Sequence, residues 1–124
     1  MFQIKMNSME VITKTLRLEK IEYYITHLSI VNCVLPVKLT PKEIEVLAWF
    51  MSFDGDMAKD RFGTKAKKTV RIAMTLTHQG LSNYMRSLAD KKFLLERDGK
   101  MEILPILHPN KDKQKYMLTL QNLE

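Results

Sequence analysis

The sequence predicts an α+β fold, mainly helical, with a three-helix core closed by a C-terminal β-hairpin and preceded by an N-terminal helical extension. Three observations carry that expectation. The stretch Thr40-Pro41-Lys42-Glu43 is a helix-capping signature at the head of an apolar-striped segment. Two further segments on either side of Thr77 repeat apolar residues at steps of three and four. The period then shortens to two around Arg97-Asp98-Gly99-Lys100, and Asp-Gly is a strong hairpin signal. At 124 residues, 45% hydrophobic and 27% charged, the chain has the size and composition of one folded domain.

The extension covers residues 1–38. Phe2, Ile4 and Met6 alternate with polar residues, as in a short strand. From about Thr15 the pattern turns helical, with Leu18, Ile21, Ile25 and Leu28 in register and Tyr24 and Val31 beside them. This helix is expected to reach Asn32 or Cys33, after which Pro36 forces Leu35 into an extended conformation.

The core domain covers residues 39–124. Thr40 can cap a helix while Glu43 reaches back to the cap's own amide, and Pro41 sits where its missing N–H costs nothing. Ile44, Leu47, Ala48 and Met51 form the inner face of that helix, widened by Val46, Phe50 and Phe53. Asp54-Gly55-Asp56 reads as the turn that ends it. A second helix is expected from a Thr64 cap to Leu76, with Ala66, Val70, Ala73 and Met74 inward. After a tight connection at Thr77, a third spans about 78–91, anchored by Leu81, Met85 and Leu88. The hairpin takes 93–104. A second strand pair, Ile106-Leu107 with 116–120, is expected to follow, its middle strand confined to an edge by Pro105 and Pro109.

Charge divides the chain unevenly. Residues 1–57 carry six basic and seven acidic side chains, net −1, whereas residues 58–124 carry fourteen and seven, net +7. A neutral half joined to a basic half suggests that the second half meets a polyanion. The alternative is a lysine-rich surface that serves solubility alone.

The residues around the second and third helices carry a resemblance. Ile72-Ala73-Met74-Thr75-Leu76, continued by Thr77-His78-Gln79-Gly80-Leu81-Ser82-Asn83-Tyr84-Met85-Arg86-Ser87-Leu88, resembles the paired helices of winged helix-turn-helix DNA-binding proteins. Leu88-Ala89-Asp90-Lys91-Lys92-Phe93-Leu94-Leu95 is similar to the step from recognition helix into wing in MarR-like regulators, and Leu39-Thr40-Pro41-Lys42-Glu43-Ile44-Glu45-Val46-Leu47 resembles their first core helix. Small winged-helix proteins of tailed bacteriophages look similar too. The likeness spans roughly residues 39–104. It departs from the family in three places: the customary turn glycine is absent, the turn looks about two residues short, and Lys92 stands where a glycine commonly precedes the wing. The resemblance implies a transcriptional regulator of double-stranded DNA, with the 78–91 helix in the major groove, the 93–104 wing on the backbone, and no cofactor.

The residues themselves support a DNA-reading face. With Leu81, Met85 and Leu88 inward, Gln79, Ser82, Asn83 and Arg86 point outward. Asn and Gln match the adenine edge and Arg the guanine edge, so these four are the candidate base readers. Candidate phosphate contacts are Lys65, Lys67, Lys68 and Arg71 on the second helix, Lys91 and Lys92 at the end of the third, and Arg97 and Lys100 at the hairpin tip. Lys111, Lys113 and Lys115 in the following loop extend that set. Each residue taken singly is also what a solvated helix face would carry. Gly80 admits two readings, a close approach to phosphate or a tolerated first-turn glycine.

Enzyme chemistry finds no foothold. His27, His78 and His108 are too scattered for a helical metal pair and are expected at the surface or at caps, and Cys33 has no partner for zinc. Cys33 is expected to be a small buried residue. Gly63-Thr64-Lys65 lacks the phosphate-loop pattern, and Asp54, Asp56 and Asp60 lack EF-hand spacing. No apolar run approaches the ~20 residues of a membrane helix. The lone cysteine and the absence of a signal-peptide pattern at Met1 to Met6 point to a cytoplasmic location. Tyr23, Tyr24, Ile25, Leu28, Ile30 and Val31 spread apolar surface over more than one face of the first helix, which therefore packs centrally or pairs with a second copy as a homodimer. A protein-interaction or assembly module without DNA binding is the rival reading.

Overall fold

Two short antiparallel strands open the chain, β1 (Phe2–Lys5) and β2 (Val11–Lys14), with Phe2 opposite Lys14 and Lys5 opposite Val11. The computed structural model describes residues 2–5 and 11–124, so Met6, expected in the first strand, lies outside the described residues. The second strand adds to the single one expected, and Val11-Ile12-Thr13 is the β-branched run that strands favour. Helix α1 (Lys20–Asn32) starts later than its apolar period suggests, because Glu19 is still extended at φ −60°, ψ 160°. Lys38 Nζ donates to the carbonyls of Asn32 and Cys33, both at 2.9 Å, and so closes the helix's negative end. Asn32 then grips Leu39, accepting its N–H at 2.7 Å and donating to its C=O at 3.1 Å, which delivers the chain to Thr40. Cys33, at this helix end, is exposed and not buried as its apolar neighbours suggest.

Helix α2 (Pro41–Met51) begins at the expected capping box: Thr40 Oγ1 accepts the Glu43 N–H at 3.2 Å, and Glu43 Oε1 accepts the Thr40 N–H at 2.8 Å. Its far end is closed by Arg61, whose Nη1 donates to the carbonyls of Phe50 (2.6 Å) and Met51 (3.1 Å). The segment read as a turn holds a short helix, α3 (Gly55–Lys59), with Gly55 at φ +60°. Phe53 lies beyond α2, its ring meeting Phe50 edge-on at 6.1 Å.

Helix α4 (Thr64–Met74) is capped by Gly63 and not by Thr64, and it ends two residues before Leu76. Ala66 and Val70 are buried as expected, whereas Ala73, in the last turn, is exposed. The chain reverses through Thr75 at φ 54°, ψ 53°, and the Leu76 N–H donates back to the Arg71 carbonyl at 2.8 Å. This is the geometry a C-terminal glycine usually supplies. The connection therefore runs Thr75-Leu76-Thr77, a three-residue turn of ordinary length, and the expected shortness came from assigning Leu76 to the helix.

Helix α5 (His78–Asp90) is capped by Thr77, whose hydroxyl accepts the Gly80 N–H at 2.9 Å. A β-carbon at Gly80 would lie 3.2 Å from that same oxygen, so the glycine accommodates the cap. β3 (Leu94–Arg97) and β4 (Lys100–Ile103) pair around Asp98 and Gly99, both at positive φ (53° and 76°), the two-residue turn that matches strand twist. Lys92, where the resemblance expects glycine, has φ 71°.

The expected second strand pair does not form. Pro105–Leu107 is one 3₁₀ turn, and residues 108–124 carry no regular structure. Leu107 donates its N–H to the Leu104 carbonyl at 3.0 Å and its own carbonyl lies 2.8 Å from His27 Nε2, so its backbone groups are not available to a ladder. Among the described residues the architecture is five helices and two separate two-stranded sheets, an α+β arrangement that is mainly helical. One core unites it. Leu28 of α1, Leu47 and Phe50 of α2, Val70 of α4, Leu88 of α5 and Leu107 are all essentially inaccessible, and α2 touches α1, α4 and α5. Tyr24 and Leu28 thus make the N-terminal helix part of the same packed unit as the rest. Among the described residues no helix is long and apolar enough to cross a membrane.

Candidate nucleic-acid interface

The face opposite the core of α5 is set by helical period. Leu81, Met85 and Leu88 are buried at 2%, 8% and 0% exposure, and a rotation of about 100° per residue places Gln79, Ser82, Asn83 and Arg86 on the far side. All four are exposed. Gln79 Nε2 donates to Asn83 Oδ1 at 2.8 Å, joining the two amides one turn apart. A head-to-tail amide pair leaves one free carbonyl on one partner and free N–H groups on the other, whichever way the two are assigned. An acceptor beside a donor is the complement of the adenine major-groove edge, which offers the N6 amino group and N7. Asp90 lies on the same side at the C-terminal end and is the one carboxylate there among the residues of α5.

The cations expected around this face divide into four groups. Lys65, Lys68, Lys92 and Lys100 are exposed, and Lys67 and Arg71 are half-buried, with the Arg71 Nε enclosed and without a hydrogen-bond partner. Arg97 is exposed but lies 3.1 Å from Glu102 across the hairpin, which offsets its charge. Lys91 is a correction. Its Nζ is 2.6 Å from Glu43 Oε1 and 3.0 Å from the Lys38 carbonyl, with its side chain 24% exposed, so its charge is taken up by Glu43 at the edge of the core and leaves the phosphate set. Lys111, Lys113 and Lys115 belong to the segment beside α1, where Lys113 and Lys115 line a cleft with Tyr23 and Ile30. Their segment is tied across α1 by the Tyr23 hydroxyl, which donates to the Asn110 carbonyl at 2.6 Å, and Lys111 lies 4.0 Å from Asp54.

Glu43 does more than close the capping box of α2. Its carboxylate is almost fully buried and accepts from three donors: the Thr40 N–H and Lys91 Nζ at Oε1, and the Ser87 hydroxyl at Oε2 (2.7 Å). Burial alone would raise its pKa. The Lys91 ammonium, the Thr40 amide and the Ser87 hydroxyl outweigh burial and hold the carboxyl below its ordinary value. Ser87 and Lys91 both belong to the C-terminal end of α5, so one carboxylate fixes the start of α2 to the end of the candidate reading helix.

His27 is a second correction, since it is 5% exposed and not at the surface. Its Nε2 lies 2.8 Å from the Leu107 carbonyl, which can only accept, so Nε2 carries the proton and Nδ1 accepts from the Tyr116 hydroxyl. Burial lowers its pKa, against the opposing pull of the Leu107 bond. Together with Tyr23, this histidine straps the segment 107–116 onto α1. His108, exposed beside the 3₁₀ turn, is also lowered, by desolvation first and by the Arg61 charge second. Among the described residues no three His, Cys, Asp or Glu side chains gather as a metal site.

No family model, no curated protein and no solved structure matches this chain.

Proposed function

We propose that the chain is a winged helix-turn-helix protein that binds double-stranded DNA, with α4 and α5 as the helix-turn-helix and the β3–β4 hairpin as the wing. The reading that fits best is a sequence-selective transcriptional regulator. One observation carries it: α5 is anchored by three buried apolar residues and the Glu43 carboxylate, and its free side holds a joined Gln79–Asn83 amide pair with Arg86 one turn further on. A helix admitted to the major groove reads bases with such groups. Adenine facing the amide pair and guanine facing Arg86 is the expected preference, with Ser82 at the edge of the same face. Lys65, Lys67, Lys68, Arg71, Lys92 and Lys100 supply the phosphate contacts, and Arg97 contributes less because Glu102 neutralises it.

The test is a titration against random duplex at several salt concentrations, followed by selection of preferred sites. With about six phosphates neutralised, affinity should fall with salt at a log–log slope of roughly −5. Arg86→Ala should relax selectivity at one position by about 1–3 kcal/mol, and Lys68→Ala should weaken all sequences alike. Gln79→Ala and Asn83→Ala should each abolish the adenine preference, and the double variant should lose no more than either single one. A site preference untouched by Arg86→Ala would refute the assigned face. Absence of duplex retardation at low salt would refute DNA binding altogether and favour the protein-interaction reading.

A further inference from the structure

The side of the molecule formed by α1 carries an open cleft of about 950 Å³. Its floor is α1, and its walls are the segment 13–18 on one side and the segment 112–116 on the other. Among the described residues, none from α4, α5 or the hairpin lines it, so this is a surface separate from the proposed reading face. Both walls are basic. Lys14 and Arg17 stand on the first and Lys113 and Lys115 on the second, all exposed, against the single carboxylate of Asp112. Among the described residues none of these four cations forms an ion pair. The second wall also carries an aromatic ring in a fixed orientation. Tyr116 is 45% exposed, yet its hydroxyl is bonded to Nδ1 of the buried His27, and its ring lies 5.8 Å from that imidazole at a tilt of 33°. Gln114 stiffens the same wall, accepting the Asn110 N–H at 2.9 Å and donating to the Lys115 carbonyl at 3.2 Å. His27 thus occupies one side of the Tyr116 ring, and the rest of the ring is open to solvent. A planar group that stacks there meets a side chain already ordered, and so avoids the cost of immobilising it.

We infer that this cleft binds a short stretch of single-stranded nucleic acid, with a base stacked on Tyr116 and the phosphates running between Lys14 and Arg17 on one wall and Lys113 and Lys115 on the other. Three properties select that occupant. A basic groove with a stacking ring is the combination that holds single strands without sequence preference. The cations are spread over both walls and do not converge on one point, which suits the successive phosphates of a strand and not the single phosphate of a free nucleotide. The ring selects against the other polyanions. A duplex keeps its bases inside the stack, out of reach of a ring in a cleft, and an acidic polypeptide would answer the cations while leaving the ring unused. The inference stands whether or not α5 reads duplex DNA. Where both hold, one molecule has separate seats for a duplex and for an unpaired strand.

Fluorescence anisotropy of the full chain with a labelled oligothymidine about twelve nucleotides long tests this. With four cations engaged, log affinity should fall with log salt at a slope of roughly −3. Lys113→Glu combined with Lys115→Glu should weaken binding at least about tenfold at low salt. Tyr116→Leu should weaken it about five- to a hundredfold, the range of one lost base stack. Tyr116→Phe keeps the ring and lacks only the hydroxyl, so it should lose no more than about threefold, the cost of ordering one side chain again. Far-ultraviolet circular dichroism should be unchanged in all of these, since the three positions are exposed. Arg86→Ala should leave oligothymidine binding intact, and a loss there would move the strand to α5 and overturn the inference. No binding at low salt overturns it as well, as does binding that survives both the lysine and the Tyr116→Leu substitutions. Equal losses in Tyr116→Leu and Tyr116→Phe would make the tyrosine a strut for the wall and overturn the stacking. Displacement by thymidine monophosphate or by polyglutamate as effectively as by unlabelled oligothymidine would overturn the strand as occupant. Loss of duplex binding with oligothymidine binding retained would refute the α5 reading and leave this inference standing.

Discussion

Replacing Lys91 with methionine isolates what the Glu43 carboxylate does for the fold. The substitution keeps the length and apolar character of the stem and removes only the ammonium, which sits 2.6 Å from Glu43 Oε1. Glu43, with a side chain 2% exposed, would retain two neutral donors, the Thr40 amide at 2.8 Å and the Ser87 hydroxyl at 2.7 Å. Stranding a fully buried charge costs about 3–5 kcal/mol. Lys91 is a quarter exposed, so the pair lies at the boundary, and about 2–3 kcal/mol is the expected loss at neutral pH. For a domain of this size that corresponds to a drop in Tm of about 6–15 °C. Urea denaturation followed by circular dichroism should show a lower midpoint with the slope unchanged.

The pH dependence fixes the cause. In the wild type the Glu43 carboxyl is held below its ordinary value, so its stabilisation is fully present above the unfolded pKa of about 4.3 and is lost as pH falls through the lower folded value. In Lys91→Met burial is opposed only by neutral donors and drives the carboxyl upward, so the variant's deficit should shrink as the solution is acidified. Glu43→Gln placed on top of Lys91→Met removes the stranded charge and should recover about half of the loss. A deficit below about 1 kcal/mol at pH 7, or one that stays constant down to pH 3.5, would refute the assignment.

Other outcomes follow from the backbone and from the strap over α1. Thr75, exposed and left-handed, carries a β-branched side chain where about 1–2 kcal/mol of strain is expected, so Thr75→Gly should stabilise by about 0.5–1 kcal/mol after the unfolded-state entropy of glycine is counted. A calorimetric Tm that does not rise would refute the strain. His27→Gln should cost about 1–2 kcal/mol at pH 7 through the bonds to Leu107 and Tyr116. Because burial depresses the His27 pKa, the unfolded chain takes up its proton first, and wild-type stability should decline as pH falls below about 6.5. His108 shifts in the same direction, so His27→Gln should remove part of that decline and not all of it; a pH profile parallel to the wild type would exclude His27 as its source.

What the sequence disclosed, and what it withheld, divides by the range of the interaction. The α2 capping box, the Asp98-Gly99 turn and the inner face of α5 are settled by residues within four positions of one another, and each appears as its residues suggest. Boundaries failed where two local signals competed. Thr64 and Gly63 are about equally good capping residues, and the chain enters α4 at the earlier of the two, while Leu76 has the right period for a helix that Thr75 has already ended. The alternation at 116–120 is a strand pattern without a partner, because residues 105–107 form a 3₁₀ turn and the backbone of Leu107 is bonded to Leu104 and His27. Burial of His27 and exposure of Cys33 depend on which segments pass over α1, and no short window contains that information. The same limit governs the candidate site. Gln79, Asn83 and Arg86 are legible as an outward face because they follow one helical period, whereas the carboxylate that holds their helix comes from a capping box 44 residues before Ser87 and 48 before Lys91. Glu43 serves both roles because a capping residue must keep its carboxylate at a helix start, where burial leaves Oε2 and part of Oε1 still seeking donors. A half-satisfied buried carboxylate in a local motif therefore predicts a distant cation, and Lys91, with Ser87 beside it, is where this fold supplies one.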